Sequence, residues 1–175
     1  DVLGSRGLGD VYKRQVYGDL AQNITAFRGL KAWDDVFGFP VYILEQNYRN
    51  TNQIVGYVAE NLKLSMQPIG FDGPPVQRIS PRGIASFFRE KKGLKAIIVP
   101  ENEGEKYRRK AYNIPAISGK VFKTRINLLT VYESKGLEFS CVAVADAHMS
   151  DHEKYIAYTR ALKELAVIRE TEDEK

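Results

Sequence analysis

Residues 126–168, INLLTVYESKGLEFSCVAVADAHMSDHEKYIAYTRALKELAVI, alternate between short apolar runs and a helix-forming segment. The runs predict strands over Ile126–Val131, Cys141–Ala145 and Leu165–Ile168, and a helix is predicted over Glu153–Glu164. Strands that alternate with helices favour a mostly parallel sheet with helices on its faces. The predicted fold class is therefore α/β.

The chain before this stretch continues the same alternation. Its strongest predicted strand is Ala96–Val99, and shorter strands are predicted at Val41–Leu44 and Val76–Ile79. Asn50 or Thr51 is predicted to cap a helix, in which apolar residues recur at helical spacing: Ile54, Val55, Val58, Ala59 and Leu62. Helices are also predicted over residues 31–38, 84–90 and 103–112.

The composition limits the classes of protein to which the chain can belong. Apolar residues make up 43% and charged residues 27% of its 175 residues, which is the balance of a globular domain. The apolar runs are far shorter than the roughly 20 residues that span a membrane, so we expect no membrane partner. No secretory signal is recognisable, and the single Cys141 excludes an internal disulfide framework. We therefore expect a cytoplasmic protein.

Two histidines, His148 and His152, lie four residues apart beside Asp151 and Glu153. This spacing is compatible with a shared metal ion, but no third ligand motif accompanies the pair. A solvated loop with a helix cap is the favoured interpretation, and we predict no metal site.

The positive charge of the chain is local. The net charge is 26 − 22 = +4, yet residues 106–125 alone hold seven bases and no acid. Such a segment could face phosphate. A solvated, Lys-rich helix and turn explains the charge equally well.

The first fifteen residues, DVLGSRGLGDVYKRQ, are rich in glycine and lack apolar periodicity. They resemble a glycine-rich loop only superficially, because the middle glycine of G-x-G-x-x-G is replaced by Arg6 when the pattern begins at Gly4. We interpret residues 1–15 as a non-native leader.

Four further segments occur in a fixed order. They are Tyr17–Ile24 (YGDLAQNI) with Phe27-Arg28-Gly29, Gln46–Thr51 (QNYRNT), Thr130–Phe139 (TVYESKGLEF) and Ala157–Ala161 (AYTRA). Together they resemble the later motifs of UvrD/Rep-type superfamily 1 DNA helicases, from the third motif to the last. About eighty residues separate the second and third segments, a spacing similar to that of the short DNA helicase IV and HelD-like branch.

The resemblance implies a RecA-like fold and a division of the chain. Residues 16–38 would be a small remnant of the first RecA-like lobe, residues 39–169 the second helicase lobe, and residues 170–175 a charged tail. The parent protein would be an ATP-dependent helicase or translocase that moves along single-stranded DNA.

The resemblance also assigns residues to ATP. Tyr48 would pack on the adenine, Arg49 and Arg160 would reach the γ-phosphate, and Glu138 would accept from the ribose hydroxyl. Gln22 would contact the γ-phosphate or its metal-bound water, so the implied catalytic residues are Gln22, Arg49 and Arg160, with Gly136 completing the ATP site. A guanidinium suits this role because its fork gives two parallel charged hydrogen bonds to a phosphate.

The residues that the resemblance assigns to DNA are Phe27, Arg28, Tyr132, Lys135 and Thr159. Phe27 would stack on a base, Lys135 would hold a phosphate, and Tyr132 stands where the family usually has histidine. For Phe27 a core position is equally compatible with the sequence. For Arg160, the alternative is an exposed helical arginine that faces Glu164 four residues on.

The residues that such helicases need for hydrolysis are not recognisable in this sequence. A P-loop requires G-x-x-x-x-G-K-[ST], but the candidate Gly119-Lys120 is followed by Val121 and has Ile114 at the first glycine position. The implied cofactor, ATP with Mg²⁺, would be bound mainly by the missing first lobe, and we expect no hydrolysis by this chain alone. Two alternatives stay open: a stand-alone module that binds nucleic acid or RNA polymerase, and an unrelated α/β nucleotide-binding protein.

Overall fold

The structure is a computed structural model that describes residues 45–105, 107 and 125–169. The leader, the remnant of the first lobe, the predicted strand Val41–Leu44, the charged tail and most of the basic segment lie outside these residues. In chain order the described elements are β1 (Gln46–Asn47), α1 (Asn52–Leu62), β2 (Gln67–Pro68), β3 (Gln77–Ile79), a 3-10 turn (Pro81–Gly83), α2 (Ile84–Phe88), β4 (Lys95–Val99), β5 (Ile126–Thr130), α3 (Val131–Ser134), β6 (Phe139–Val144), α4 (Asp151–Thr159) and β7 (Ala161–Ile168).

The main sheet has five strands in the order β3-β7-β6-β4-β5, and every neighbouring pair is parallel. In the middle of the sheet Ile97 pairs with Leu128 on one side and with Ala143 on the other. A separate parallel ladder joins β1 to β2. The predicted α/β class with a mostly parallel, helix-flanked sheet is confirmed.

Both faces of the sheet are buried. Along β4, Ala96 and Ile98 pack with Ile54 of α1 and with α4, whereas Ile97 and Val99 pack on the other face with residues of α2 such as Phe87. These four residues of β4 are fully buried. Parallel strands covered on both faces read as continuous apolar runs, which is why Ala96–Val99 was recognisable as a strand.

The last helix is shorter than the sequence predicts. It begins with a capping box, in which the Ser150 hydroxyl accepts from the Glu153 N–H and the Glu153 carboxylate accepts from the Ser150 N–H. The prediction of a helix up to Glu164 is wrong, because α4 ends at Thr159 and β7 begins at Ala161. Pairing of Glu164 with Cys141 in β6 overrides the helical propensity of this segment.

Two other described segments bear on the predictions. Thr51 is the N-cap residue of α1, although its side chain makes no capping hydrogen bond. Within the predicted helix 103–112, the described residues Gly104, Glu105 and Tyr107 are helical. Among the residues that the structure describes, no helix combines the length and the apolar character that crossing a membrane requires.

Candidate functional site

Three of the four sequence segments reach the amino-terminal edge of the sheet, the second of them only with its last residues, which lead into β6. We call them the N-Y-R segment (Gln46–Thr51), the K-G-L-E segment (Thr130–Phe139) and the T-R-A segment (Ala157–Ala161). The last two run directly into β6 and β7, whose amino ends share one edge because the strands are parallel.

The side chain of Asn50 joins the N-Y-R segment to the T-R-A segment. Its amide Nδ2 donates to the carbonyl of Ala161 at 2.7 Å and to that of Thr159 at 3.1 Å. Its Oδ1 accepts from the Asn47 side chain at 2.9 Å, and the residue is fully buried. Since a buried amide without partners is costly, these bonds fix the position of the N-Y-R segment.

A local turn then directs the residues before Asn50. The Asn47 Oδ1 accepts from the backbone N–H of Arg49 at 3.0 Å and from that of Asn50 at 3.1 Å. Asparagine side chains commonly close turns in this way. The turn leaves Tyr48 exposed over 76% of its surface.

Arg49 connects the N-Y-R segment to the K-G-L-E segment. Its Nη1 lies 3.0 Å from Oε1 of Glu138, and the two side chains are 44% and 40% exposed. The guanidinium is therefore held in place at a surface that an anionic ligand can reach. The structure thus brings together two residues that the sequence analysis assigned to the same ligand.

Arg160 connects the K-G-L-E segment to the T-R-A segment from inside the protein. Its Nη1 donates to the carbonyl of Leu137 at 3.3 Å and its Nε to the carbonyl of Ile156 at 3.1 Å. Only 3% of Arg160 is exposed, so the alternative of an exposed helical arginine is wrong. Glu164 pairs instead with Lys91.

Thr159 lies beneath Arg160 and is also buried. Its hydroxyl donates to the carbonyl of Tyr155 at 2.8 Å and accepts from Nη2 of Arg160 at 3.2 Å. The residue assigned to DNA by resemblance therefore supports the guanidinium of Arg160 in this structure.

Tyr132 lies on α3 and Lys135 directly follows that helix, in the crossover from β5 to β6. Both are exposed, Tyr132 over 47% of its surface. The crossover is shaped by a capping box between Thr130 and Glu133 and by Gly136, whose φ of +82° favours glycine. Gln22, Phe27 and Arg28 lie outside the described residues.

A buried polar cluster that the sequence analysis missed lies at the opposite, carboxyl-terminal edge. Asp146 lies two residues after the end of β6, is 3% exposed, and accepts from the Tyr158 hydroxyl and from Nη1 of Arg169. Burial and the hydrogen bond to Asp146 raise the pKa of Tyr158 far above its ordinary value. The available signal was an aspartate just after a continuous buried strand.

The carboxyl-terminal edge also carries a cleft at the ends of β4 and β5. It is lined by Glu101, Glu105 and Glu133 among others, so its charge does not favour a phosphate. Close to this cleft, His148 contacts Glu103. Within the described ranges no group of three or more His, Cys, Asp or Glu side chains could hold a metal ion.

Comparison with solved structures identifies a protein with a similar fold. The crystal structure of the C-terminal domain of a possible DNA helicase from Lactobacillus plantarum WCFS1 matches 70% of this chain and 86% of its own chain, with a TM-score of 0.55 and 18% sequence identity. At this identity the likeness establishes a shared fold. No family model and no curated protein matches the sequence.

Proposed function

We propose that the chain is the second RecA-like lobe of an ATP-dependent superfamily 1 DNA helicase or translocase. The observation that carries the proposal is the meeting of the N-Y-R, K-G-L-E and T-R-A segments at one edge of the sheet. The N-Y-R segment lies about eighty residues before the K-G-L-E segment, and a shared ligand site would account for the meeting of their polar residues. The fold shared with a domain of a possible DNA helicase is consistent with this role.

In this proposal the exposed edge binds ATP together with a first lobe that supplies the P-loop and the Mg²⁺ site. Tyr48 offers a ring to the adenine, and Arg49 offers a half-exposed guanidinium to the γ-phosphate. Glu138, beside Arg49, accepts from the ribose. Arg160 reaches a phosphate only after its bond to the Leu137 carbonyl opens, so until then it positions the K-G-L-E segment.

The proposed DNA contacts lie in the crossover from β5 to β6. Tyr132 is exposed enough to stack on a base, and stacking does not depend on sequence. Lys135, three residues on, is exposed at the end of the same short helix and is suited to a phosphate. ATP binding at one edge would thus be linked to DNA binding through the K-G-L-E segment.

The test is ATP hydrolysis by this chain joined to the genomic reading frame upstream of Val16. We expect a P-loop in that frame and hydrolysis stimulated by single-stranded DNA. Arg49→Ala should lower kcat by about 10³-fold or more, as removal of an arginine finger does elsewhere. Glu60→Ala changes an exposed residue on α1 and serves as the control, which should keep the wild-type activity.

Other outcomes would contradict the proposal. An upstream frame without a P-loop, together with tight binding of nucleic acid or RNA polymerase in the absence of ATP, would identify a stand-alone binding module. Full activity in Arg49→Ala would show that the edge does not serve the γ-phosphate.

A further inference from the structure

The described residues include four exposed large apolar side chains, and three of them follow the short β1–β2 ladder in sequence. Tyr48 is 76% exposed, and Ile69 and Phe71 are each 50% exposed. The fourth, Tyr132, lies on α3. Single exposed apolar residues are ordinary on a protein surface, but a cluster of them marks an interaction site.

The strap, residues 67–73, lies beside the N-Y-R segment. In the ladder Gln46 pairs with Gln67 and Asn47 with Pro68. One position further, the Ile69 N–H donates to the Asn47 carbonyl at 3.1 Å, so Ile69 stands across from Tyr48. The ladder therefore places an exposed aliphatic residue beside an exposed aromatic one.

Close packing and hydrogen bonds fasten the strap along its whole length. A Cβ at Gly70 would lie 2.7 Å from the Asn50 carbonyl oxygen, so the backbones touch where no side chain fits. The Phe71 carbonyl accepts from the Asn52 N–H at 2.9 Å, and the Asp72 carboxylate accepts from the Asn52 side chain at 3.0 Å. The backbones of Ile69 and Phe71 are thus held in place, and about half of each residue stays exposed.

We infer that Ile69 and Phe71 extend the base-binding surface of Tyr48, so that the lobe holds the nucleobase of a nucleotide on the strap and its phosphates at Arg49. The inference rests on the proposed function and adds base-contacting residues to it. A nucleotide combines a flat, largely apolar ring with an anionic tail. That combination matches an exposed tyrosine, Tyr48, that directly precedes a half-exposed arginine and stands across from the strap.

Charges around the patch favour a single nucleotide over a nucleic-acid strand. The Glu45 carboxylate lies at one end of the ladder, where it accepts from Ser65 at 2.7 Å, and Asp72 lies at the other end. Glu138 flanks Arg49. A polyanionic strand following the ladder would pass these carboxylates, whereas a nucleotide needs only the cation at Arg49.

The experiment compares two ligands on the 175-residue chain by NMR titration: ATP, and tripolyphosphate, which has the same phosphates without a base. The variants are Ile69→Ala, Phe71→Ala and Arg49→Ala, with Glu60→Ala as the control. We expect the strap variants to weaken ATP binding by about fivefold or more, the lower range for loss of a base-stacking residue, and to leave tripolyphosphate binding unchanged. Arg49→Ala should weaken binding of both ligands.

The outcomes separate the inference from the proposed function. If Arg49→Ala weakens both ligands and the strap variants weaken neither, the inference is overturned and the phosphate site stands. If Arg49→Ala weakens neither ligand, the phosphate site is overturned as well. If the wild-type chain binds ATP no better than tripolyphosphate, the base makes no contact and the inference fails. Sedimentation velocity of the same variants supplies a last outcome. If the strap variants change the sedimentation coefficient and leave ATP binding unchanged, the patch joins two copies of the chain, and the inference is overturned.

Discussion

Arg49 and Glu138 form an ion pair with a separation of 3.0 Å, and the pair links the N-Y-R segment to the K-G-L-E segment. The carboxylate of Glu138 therefore neutralises part of the charge of the Arg49 guanidinium. Because both side chains are about half exposed, water screens the pair, and it adds only about 0–1 kcal/mol to stability. The pair mainly affects how strongly Arg49 binds an anion, because Glu138 competes for the same guanidinium.

Replacement of the carboxylate should therefore strengthen phosphate binding. In Glu138→Gln the guanidinium of Arg49 loses its anionic competitor, and we expect the affinity for tripolyphosphate to rise by several-fold. Coulomb energies of about 1 kcal/mol at such exposed pairs set this scale. Titration at low and moderate salt measures the effect, which salt should diminish. Glu60→Gln on α1 is the matched control, and an unchanged affinity in Glu138→Gln would show that Glu138 does not compete.

Among the asparagines at the candidate site, we expect truncation of Asn50 to lower the free energy of unfolding the most. Asn50→Ala removes an amide with two carbonyl partners in a fully buried position, leaving the carbonyls of Thr159 and Ala161 without it. The loss should be about 2–3 kcal/mol in the free energy of unfolding, measured by urea titration. Asn61→Ala, an exposed position on α1, should cost less than about 0.5 kcal/mol. Equal losses in the two variants would contradict the role of Asn50 in joining the segments.

The sequence was sufficient for the sheet but not for its details. The alternation of Ile97 and Ile98 between two covered faces leaves a continuous apolar signal, and the parallel class follows from helices between strands. Leu162–Glu164 has good helix formers, so only the pairing with β6 reveals that the segment is a strand. Local periodicity does not carry such long-range information.

Only part of the candidate site was predicted from the sequence. The N-Y-R, K-G-L-E and T-R-A segments were identified from sequence, and Arg49 and Glu138 prove to be in contact. The burial of Arg160 was missed because its partners are backbone carbonyls, which no residue pattern reveals. The strap was missed because Ile69 and Phe71 lie in a segment without helix or strand periodicity.

Alkaline pH should reveal the cluster at Tyr158. Its pKa is raised above the ordinary value of 10.0 by burial and by the bond to Asp146, so the folded state holds this proton more tightly than the unfolded state. The corresponding stability is fully present below about pH 10 and is lost as pH rises above it, with a slope of about 1.4 kcal/mol per pH unit for one group. Tyr158→Phe should reduce this slope in urea titrations between about pH 9 and 11.

Two further variants make this test specific. Burial also raises the pKa of Cys141, so Cys141→Ala is measured beside Tyr158→Phe to separate the two contributions. Tyr132→Phe, the same substitution at an exposed position, is the matched control for the change itself. An unaltered slope in Tyr158→Phe would show that Tyr158 ionises equally easily in the folded and unfolded states.

Arg49 and Arg160 should lose different amounts of stability on the same conservative change. Arg160 is buried, and its planar fork serves the carbonyls of Ile156 and Leu137 in directions that an ammonium group does not reproduce. Arg160→Lys should therefore lower the free energy of unfolding by about 2 kcal/mol or more, since it leaves buried acceptors without donors. Arg49→Lys, at a half-exposed ion pair, should cost less than about 0.5 kcal/mol. Urea titration of both variants measures the two losses in the free energy of unfolding. A small loss in Arg160→Lys would mean that the guanidinium leaves its carbonyl partners easily, which would make it readily available to a phosphate.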